Sequence, residues 1–371
     1  MTDRAPDPSA DQRPRRLAAL VETLQASHLD ALLVTSLPNI RYLTGFSGSS
    51  ALVVVPATGT ALLVTDFRYE TQAPEEVGEL AQIAIETQSL WSGLWRLLPQ
   101  LPSVEIVAFE SAHLVHRDFQ RLLDGGVRWQ WRPSTDRVEA LRERKDATEV
   151  GHIAAAADIA TAVLERVLPL IRTGMTELQV AGLVESGLRD LGSEGFAFPT
   201  IVASGPRAAL PHARSSKRAV ARGDFLLMDF GAVVSGYCAD MTRTVVVGPA
   251  DERQREVYDV VREANALGAA RVHAGMRARD ADAVARRYIE GRGYGEAFGH
   301  SLGHGIGLEV HEAPRLAATA EGVLPAGAVV TVEPGVYIAG WGGVRIEDDV
   351  HLDVTGPRIL TSFPRELLEL A

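Results

Sequence analysis

Two acidic residues stand inside apolar runs that read as β-strands, and this feature restricts the fold more than any other. Asp229 lies in FLLMDFGAV and Glu333 lies in TVEPGVYI. An unpaired carboxylate is costly to bury, so each acid needs a cation, hydrogen-bond donors or a proton. An ordinary salt bridge would satisfy either acid alone. The positions of two further acids point to a less ordinary arrangement.

The first of these acids is Asp240, which follows a turn-like Ser235-Gly236 pair. A hairpin centred between residues 234 and 235 would place Asp229 directly opposite Asp240. Side chains in such a pair have Cβ atoms about 4.5–5.5 Å apart, and like charges there destabilise a sheet. We therefore predict that these two carboxylates face each other and share a partner.

A second hairpin repeats the arrangement around the glycine-rich turn AGWGG. Centred on Gly340, it places Glu333 opposite Glu347. Four carboxylates in one cavity would take up protons or bind cations, and two divalent ions would neutralise them. A hydroxide shared by two such ions is an effective nucleophile. The mostly oxygen ligand set favours manganese and tolerates cobalt or zinc.

Histidines supply the remaining chemistry. His300, His304 and His311 fall within the twelve residues from 300 to 311, in FGHSLGHGIGLEVHE, and His212 lies in the loop-like ASGPRAALPHARS. A single histidine is usually structural, but three beside two acid pairs indicate a functional site, because imidazole binds metals and carries protons near neutral pH.

Composition narrows the class of protein. There are 37 basic and 48 acidic residues, a formal charge of −11, which argues against nucleic acid or an anionic membrane as the partner. No apolar run approaches the ~20 residues that span a bilayer, and the N-terminal stretch has no apolar core typical of a signal peptide. Cys238 is the only cysteine, which excludes an internal disulfide and fits a cytoplasmic location.

The chain reads as a loose tail (1–14) and two domains, 15–135 and 136–371. In the first domain, a helix at 15–28 and strands at 31–34, 51–55, 61–65 and 104–109 indicate an α/β fold. The second uses one plan twice, a helix pair followed by strands. Its predicted helices are 147–171, 176–192, 251–274 and 279–291.

Two of these helices begin with capping boxes, Thr176 with Gln179 and Asp251 with Gln254. The strands that follow the first helix pair are predicted at 199–204, 224–233 and 237–247. Those that follow the second pair are predicted at 328–338 and 343–353. The two proposed hairpins therefore fall in corresponding positions of the two halves.

In these motifs the sequence resembles the metal-dependent Xaa-Pro peptidases of the pita-bread fold, the prolidases and aminopeptidase P. The matching stretches are MDFGAVVSGYCADMTRT, GHSLGHGIGLEVHE, TVEPGVYI and GGVRIEDD, and NIRYLTGFSGSSALVV and TDFRYETQA match the N-terminal domain. The resemblance implies an α/β creatinase-like N-terminal domain, a pita-bread catalytic domain with pseudo-two-fold αβ halves, and a homodimer.

The resemblance also implies a set of site residues. The ligands of two divalent ions would be Asp229, Asp240, His304, Glu333 and Glu347. A bridging hydroxide would attack the peptide carbonyl, with Glu333 handling the proton, His311 stabilising the oxyanion and His212 orienting substrate. Tyr237, Thr242 and Arg345 would orient the ligands, and His300 would contact substrate.

The substrate would be a proline-containing di- or oligopeptide. Arg315, in HEAPRLA, stands where some prolidases bind the proline carboxylate, which favours an Xaa-Pro dipeptidase. The stretch TIVASGPRAALPH is similar to short aminopeptidase P sequences, so an Xaa-Pro aminopeptidase remains the alternative. A metal-free creatinase-like enzyme or a non-catalytic binding protein would lack the complete ligand set. GHGIG does not fit a dinucleotide-binding motif, and His311-Glu312 does not continue into H-E-x-x-H.

Overall fold

A computed structural model describes residues 11–371, and the chain divides after Arg142 into two compact units. This division lies a little beyond the boundary predicted at residue 135. Residues 1–10 of the predicted tail lie outside the described residues. The first helix begins at Arg13, so the end of that predicted tail is helical.

The first unit is a six-stranded mixed sheet with helices. Its helices are α1 (Arg13–Ala26), α2 (Leu37–Thr44), α3 (Gln72–Val77), α4 (Leu90–Leu97), α5 (His116–Gly125) and α6 (Glu139–Arg142), and its strands are β1 (Ala31–Val34), β2 (Ala51–Pro56), β3 (Ala61–Asp66), β4 (Ala81–Glu86), β5 (Ile106–Glu110) and β6 (Gln130–Ser134). The strand order is β4-β3-β2-β1-β5-β6; β1 pairs antiparallel with β2 and β2 with β3, and the remaining pairs are parallel.

The strands predicted in this unit are confirmed because they are its most apolar segments and lie buried at the centre of the sheet. The two strands at the sheet edges, β4 and β6, were not predicted. β6 reads QWRPS and is largely exposed, so it carries little of the apolar pattern that marks a strand. Its proline is tolerated because an edge strand leaves some backbone donors unpaired.

The second unit contains two αβ halves. Its helices are α7 (Ala147–Val167), α8 (Glu177–Asp190), α9 (Glu252–Arg271) and α10 (Ala278–Gly291). Its strands are β7 (Ile201–Ser204), β8 (Phe225–Phe230), β9 (Val233–Val234), β10 (Tyr237–Cys238), β11 (Met241–Val247), β12 (Gly303–Gly305), β13 (Glu312–Leu316), β14 (Val329–Val332), β15 (Gly335–Ile338), β16 (Gly342–Arg345), β17 (Asp348–Asp353), β18 (Gly356–Ile359) and β19 (Glu369–Leu370).

Two apolar clusters form the core of the second unit, and β8 and β11 contribute residues to both. Helices α7 and α8 pack in the first cluster with the sheet β19-β11-β8-β7, and α9 and α10 pack in the second with strands of the sheet β13-β12-β14-β17-β18 and with Phe225 and Leu227 of β8. Both predicted capping boxes are present, at the starts of α8 and α9. The predicted mixed α/β class and the two αβ halves are thereby confirmed. Within residues 11–371, no helix combines the length and apolarity that crossing a bilayer requires.

The register predicted for the first hairpin is wrong. Asp229 pairs with Thr242 of β11. Asp240 directly precedes β11, two residues before Thr242, so its side chain lies on the same face as that of Thr242. The cause is the turn: Ser235 and Gly236 both have positive φ, 49° and 76°, as a two-residue hairpin turn requires. The centre therefore lies between these two residues and not before Ser235. The two carboxylates are diagonal neighbours.

The register predicted for the second hairpin is confirmed. In β15 and β16, Val336 pairs with Val344, which centres the hairpin on Gly340 (φ 75°). The same register continues in β14 and β17, where Val332 pairs with Asp348. Glu333 and Glu347 lie opposite each other in the gap between these two ladders, so neither glutamate is part of a regular strand.

Candidate metal centre

A cavity of about 1030 Å³ in the second unit gathers most of the predicted site residues. Strands from both halves contribute to its walls, because β8 carries Asp229 while β12 carries His304. The predicted site residues that line this cavity are His212, Asp229, Asp240, His300, His304, His311, Arg315, Glu333, Arg345 and Glu347. The two predicted residues outside this lining are Tyr237 and Thr242.

Three side chains lie close enough to share one cation. Asp240, His304 and Glu347 each offer a donor atom within 4.8 Å of the others. His304 Nε2 lies 3.9 Å from Asp240 Oδ2 and 3.3 Å from Glu333 Oε1, so a fourth donor borders the group. Its Nδ1 lies 3.0 Å from Gly305 O. Because that contact requires a proton on Nδ1, the lone pair of Nε2 points towards the carboxylates.

Among the predicted ligands, two buried carboxylate oxygens have no hydrogen-bond partner in the described part of the chain. Asp229 Oδ1 and Asp240 Oδ1 make no hydrogen bond to any described residue, although both residues are more than nine-tenths buried. The other oxygen of Asp229 accepts from Arg345 Nη2. Buried polar atoms in proteins are nearly always paired. Oxygen donors of this kind, with one imidazole, are the ligand set that hard divalent cations bind, so the residues fit a metal centre.

Burial makes the charged form of this cluster unfavourable. It raises the pKa of Asp240 and of Glu347 well above the usual range, and the neighbouring carboxylates raise both further. Burial, with a contribution from Asp229, raises the pKa of Glu333 to about 8. Burial lowers the pKa of His304 to about 4, so its imidazole is neutral and available as a ligand. The cluster therefore holds protons or cations at neutral pH.

A hydrogen-bond network contacts the predicted ligands from the side away from the cavity. Thr242 Oγ1 donates to Glu347 Oε2 at 2.6 Å and accepts from Arg345 Nε at 3.0 Å. The backbone N–H of Asp240 donates to Asp349 Oδ2 at 3.1 Å. Thr242 and Arg345 thus occupy the positions that a ligand-orienting role requires. Asp349 was not predicted, because nothing in EDD distinguishes it from its neighbours.

Tyr337 is a further residue that the sequence analysis missed. Its hydroxyl accepts from Arg345 Nη1 at 2.9 Å and lies 2.9 Å from His300 Nε2. Because His300 Nδ1 lies 2.8 Å from Ser301 O and carries the proton there, Tyr337 donates to Nε2. Burial raises the pKa of Tyr337 to about 12, so the hydroxyl keeps its proton. Its position in TVEPGVYI, four residues after Glu333, is the sequence signal that could have indicated this role.

Three predicted residues form the open side of the cavity. The ring centroid of His311 lies 4.3 Å from that of His304, and burial lowers the pKa of His311. His212 and Arg315 are exposed and make no hydrogen bond or ion pair with another described residue. Their side chains are therefore available to a bound molecule.

Of the two predicted residues outside the cavity lining, Thr242 contacts Glu347, whereas the side chain of Tyr237 makes its contacts elsewhere. Its hydroxyl donates to Glu149 Oε1 at 2.9 Å, and its ring stacks on that of His152 with centroids 5.5 Å apart. Both partners belong to α7. Because Tyr237 lies beyond the end of the β8–β11 ladder, its contacts follow the short β9–β10 hairpin and not the ligand-bearing strands.

Comparison with known proteins places this arrangement in a family. Residues 151–353 match the model of metallopeptidase family M24, and residues 16–144 match the creatinase/prolidase N-terminal domain. The chain is 35% identical over 354 residues to the Xaa-Pro dipeptidase of Pyrococcus horikoshii, with 95% of this chain and 98% of that protein covered.

Two solved structures are similar in fold over nearly the whole chain. The Xaa-Pro dipeptidase from Bacillus anthracis has a TM-score of 0.93 at 37% identity, covering 96% of this chain and 100% of that one. The X-Pro aminopeptidase from Thermotoga maritima has a TM-score of 0.88, also at 37% identity, covering 95% and 99%. The predicted pita-bread family and peptidase class are confirmed. The chain belongs to metallopeptidase family M24 and carries the N-terminal domain of creatinases and prolidases.

Proposed function

We propose that the protein is an exopeptidase that hydrolyses the bond between a first residue and proline, and that it prefers Xaa-Pro dipeptides. One observation carries the proposal: donor atoms of Asp240, His304 and Glu347 lie within 4.8 Å of one another in the wall of a substrate-sized cavity. Relatives that act on Xaa-Pro peptides support this choice of substrate.

The predicted ligand set would hold two divalent ions, with Asp229 and Glu333 completing the group. Manganese suits the predominance of oxygen donors, and cobalt or zinc are the alternatives. Bound ions of this kind lower the pKa of a water molecule and polarise a carbonyl oxygen. The unpaired Oδ1 atoms of Asp229 and Asp240 support this assignment, because a cation would satisfy both.

The other side chains bind substrate and move its proton. Glu333 Oε1 accepts from Thr331 Oγ1 at 3.2 Å, which leaves Oε2 to exchange a proton with the reacting groups. His311 and His212 would donate hydrogen bonds to the substrate carbonyl from the open side, where charge develops during attack.

Arg315 supports the choice of dipeptides. Its side chain lines the cavity, is exposed and has no acidic partner among the described residues. The guanidinium can therefore form a bidentate pair with a carboxylate. A dipeptide presents its proline carboxylate at that point, whereas a longer peptide presents an uncharged amide. The alternative, an Xaa-Pro aminopeptidase, is favoured by the size of the cavity, which exceeds what a dipeptide alone would fill.

The test compares Ala-Pro with Ala-Pro-Ala as substrates of the manganese-loaded enzyme. We expect faster hydrolysis of the dipeptide, and we expect Arg315→Ala to raise KM for the dipeptide alone by about tenfold or more, since a charged hydrogen bond is lost. Arg214→Ala, which removes another cavity-lining guanidinium, is the matched control. Equal or faster cleavage of the tripeptide without an effect of Arg315 would establish the aminopeptidase alternative.

We further propose that the enzyme works as a cytoplasmic homodimer, as the resemblance implies. The single cysteine, which allows no internal disulfide, supports a reducing compartment. Analytical ultracentrifugation of the full chain would measure the oligomeric state directly.

A further inference from the structure

Arg243 is the largest fully buried side chain of the described chain, and it contacts the C-terminal segment (residues 360–371). Its Nε donates to Pro364 O at 2.9 Å and its Nη2 donates to Phe363 O at 2.6 Å. Nη2 also donates to Asp348 Oδ1 at 2.7 Å. One guanidinium on β11 therefore joins the C-terminal segment to the first residue of β17.

The same guanidinium reaches the backbone of a proposed metal ligand. Arg243 Nη1 donates to Glu347 O at 2.6 Å and to Thr242 O at 3.0 Å. The backbone N–H of Glu347 in turn donates to Thr242 O at 3.1 Å. Both backbone groups of Glu347 are thus fixed, the carbonyl by Arg243 and the N–H by the strand that bears Arg243.

Asp348 is enclosed by two arginines. Its side chain is 0% exposed; Oδ1 accepts from Arg243, and Oδ2 accepts from Arg365 Nε at 2.7 Å. Arg365 belongs to the C-terminal segment, and Tyr258 Oη donates to its carbonyl oxygen at 3.0 Å. Leu360 N also donates to Asp349 O at 2.8 Å. The segment therefore binds the strand that follows Glu347 at several points.

Buried ion pairs of this kind contribute little net stability to a fold. Removing ions from water is costly, and apolar side chains of similar volume often stabilise a core as well. What an enclosed Arg–Asp–Arg group does provide is fixed geometry, since the planar guanidinium of Arg243 donates to five oxygens at once and each Asp348 oxygen accepts from one arginine. The group lies directly behind Glu347, where a small shift would change the metal site.

We propose that Arg243, Asp348 and Arg365 form a clamp through which the C-terminal segment holds Glu347 in position to bind metal. The proposal rests on the metal site of the proposed function. Arg243 and Arg365 are positioning residues, because they act through the backbone and the neighbour of Glu347 and touch no substrate. Metal affinity should therefore depend on residues at the far end of the chain.

The test uses Arg365→Ala in the full chain, since Arg365 is partly exposed and its loss leaves Arg243 in place. Manganese is removed with a chelator, and its rebinding is measured by isothermal titration calorimetry. Arg255→Ala is the matched control, because Arg255 also pairs with the C-terminal segment, at Glu369, but contacts no residue next to a ligand. Arg365→Lys tests rescue by charge.

We expect Arg365→Ala to weaken manganese binding by about tenfold, the lower end of the effect of losing an outer partner of a metal ligand. Arg365→Lys should recover most of the affinity, and Arg255→Ala should bind as wild type does. The metal-induced rise in Tm should shrink in Arg365→Ala alone, even if its metal-free form is less stable. Equal affinities in Arg365→Ala and Arg255→Ala would overturn the clamp and leave the proposed function intact. Absence of manganese binding by the wild type would overturn both.

Discussion

Thr242 Oγ1 donates a hydrogen bond to Glu347 Oε2 at 2.6 Å, and this contact joins the two halves of the second unit at the candidate metal centre. The direction of donation is fixed by Arg345, whose Nε lies 3.0 Å from the same hydroxyl. Because a guanidinium cannot accept a hydrogen bond, the hydroxyl accepts from Arg345 and donates its one hydrogen to Glu347. The neutral hydroxyl of Thr242 therefore orients both the carboxylate of Glu347 and the guanidinium of Arg345.

The first prediction concerns this hydroxyl. Thr242→Val keeps the shape of the side chain but removes the hydroxyl that donates to Glu347 Oε2 and accepts from Arg345 Nε. We expect manganese affinity to fall about 10- to 100-fold. Titration calorimetry would measure the change. Thr242→Ser, which keeps the hydroxyl, should bind nearly as tightly as wild type, and equal affinity in the valine variant would contradict the assigned role.

The second prediction concerns Asp240, whose Oδ1 has no partner among the described residues. Asp240→Ala removes a central donor, so we expect loss of bound manganese and a fall in activity of about a thousandfold or more, since metal catalysis supplies several kcal/mol. Elemental analysis and a rate assay on Ala-Pro would test both. The circular dichroism spectrum should not change. Full activity in this variant would refute the metal centre.

The third prediction is that manganese binding releases protons. Burial raises the pKa of Glu333 to about 8, and the pKa values of Asp240 and Glu347 are also raised, so the metal-free site holds protons at pH 7. A cation must displace them, and its affinity should therefore rise with pH. Calorimetry in two buffers of different ionisation enthalpy would count the protons. Binding enthalpies that do not depend on the buffer would contradict the predicted release of protons.

The same shifts predict how stability depends on pH. Between the ordinary glutamate pKa of 4.5 and the raised value of about 8 for Glu333, the folded metal-free protein binds more protons than the unfolded chain. Stability then falls as pH rises through this window. Manganese removes the effect, because the ligands are deprotonated in the bound state. Thermal unfolding with and without a chelator at pH 5 and pH 8 would show a larger metal-induced rise in Tm at pH 8.

The fourth prediction concerns Tyr337. Tyr337→Phe removes the donor to His300 Nε2 and the acceptor for Arg345 Nη1, which lie 2.9 Å from the hydroxyl. We expect kcat/KM on Ala-Pro to fall about tenfold, as losing one charged hydrogen bond would cause, with manganese content unchanged. Tyr294→Phe, whose hydroxyl contacts Glu256 outside the cavity, is the control. Loss of metal in Tyr337→Phe would contradict a role in orienting His300.

Some of the site could be predicted because the relevant physics is local. Asp229 and Glu333 stand out as acids within apolar strands, and strand burial follows from the side chains themselves. The second hairpin was predicted in the correct register because Gly340, at the middle of AGWGG, has a positive φ and marks the centre of the turn. A turn residue with few alternatives fixes register without help from the rest of the fold.

The first hairpin shows where this reasoning stops. Moving its centre by one residue exchanged the partner of Asp229 from Asp240 to Thr242. The register depends on Ser235 adopting a left-handed backbone conformation, which serine rarely adopts and which the local sequence does not predict. The local sequence also does not indicate the contacts of Tyr237, because they lie on α7, many residues away along the chain.

The amino-acid sequence by itself determined the elements of the fold, the family and the chemical types of the donors, because apolar periodicity, turns and motifs are encoded over a few residues. Only the tertiary structure decided which groups meet. Tyr337 reaches His300 across the cavity, and Arg243 joins Glu347 to Phe363. These contacts connect residues far apart in the chain, and their partners are chosen by packing and by the need to satisfy buried charge, which no local pattern records.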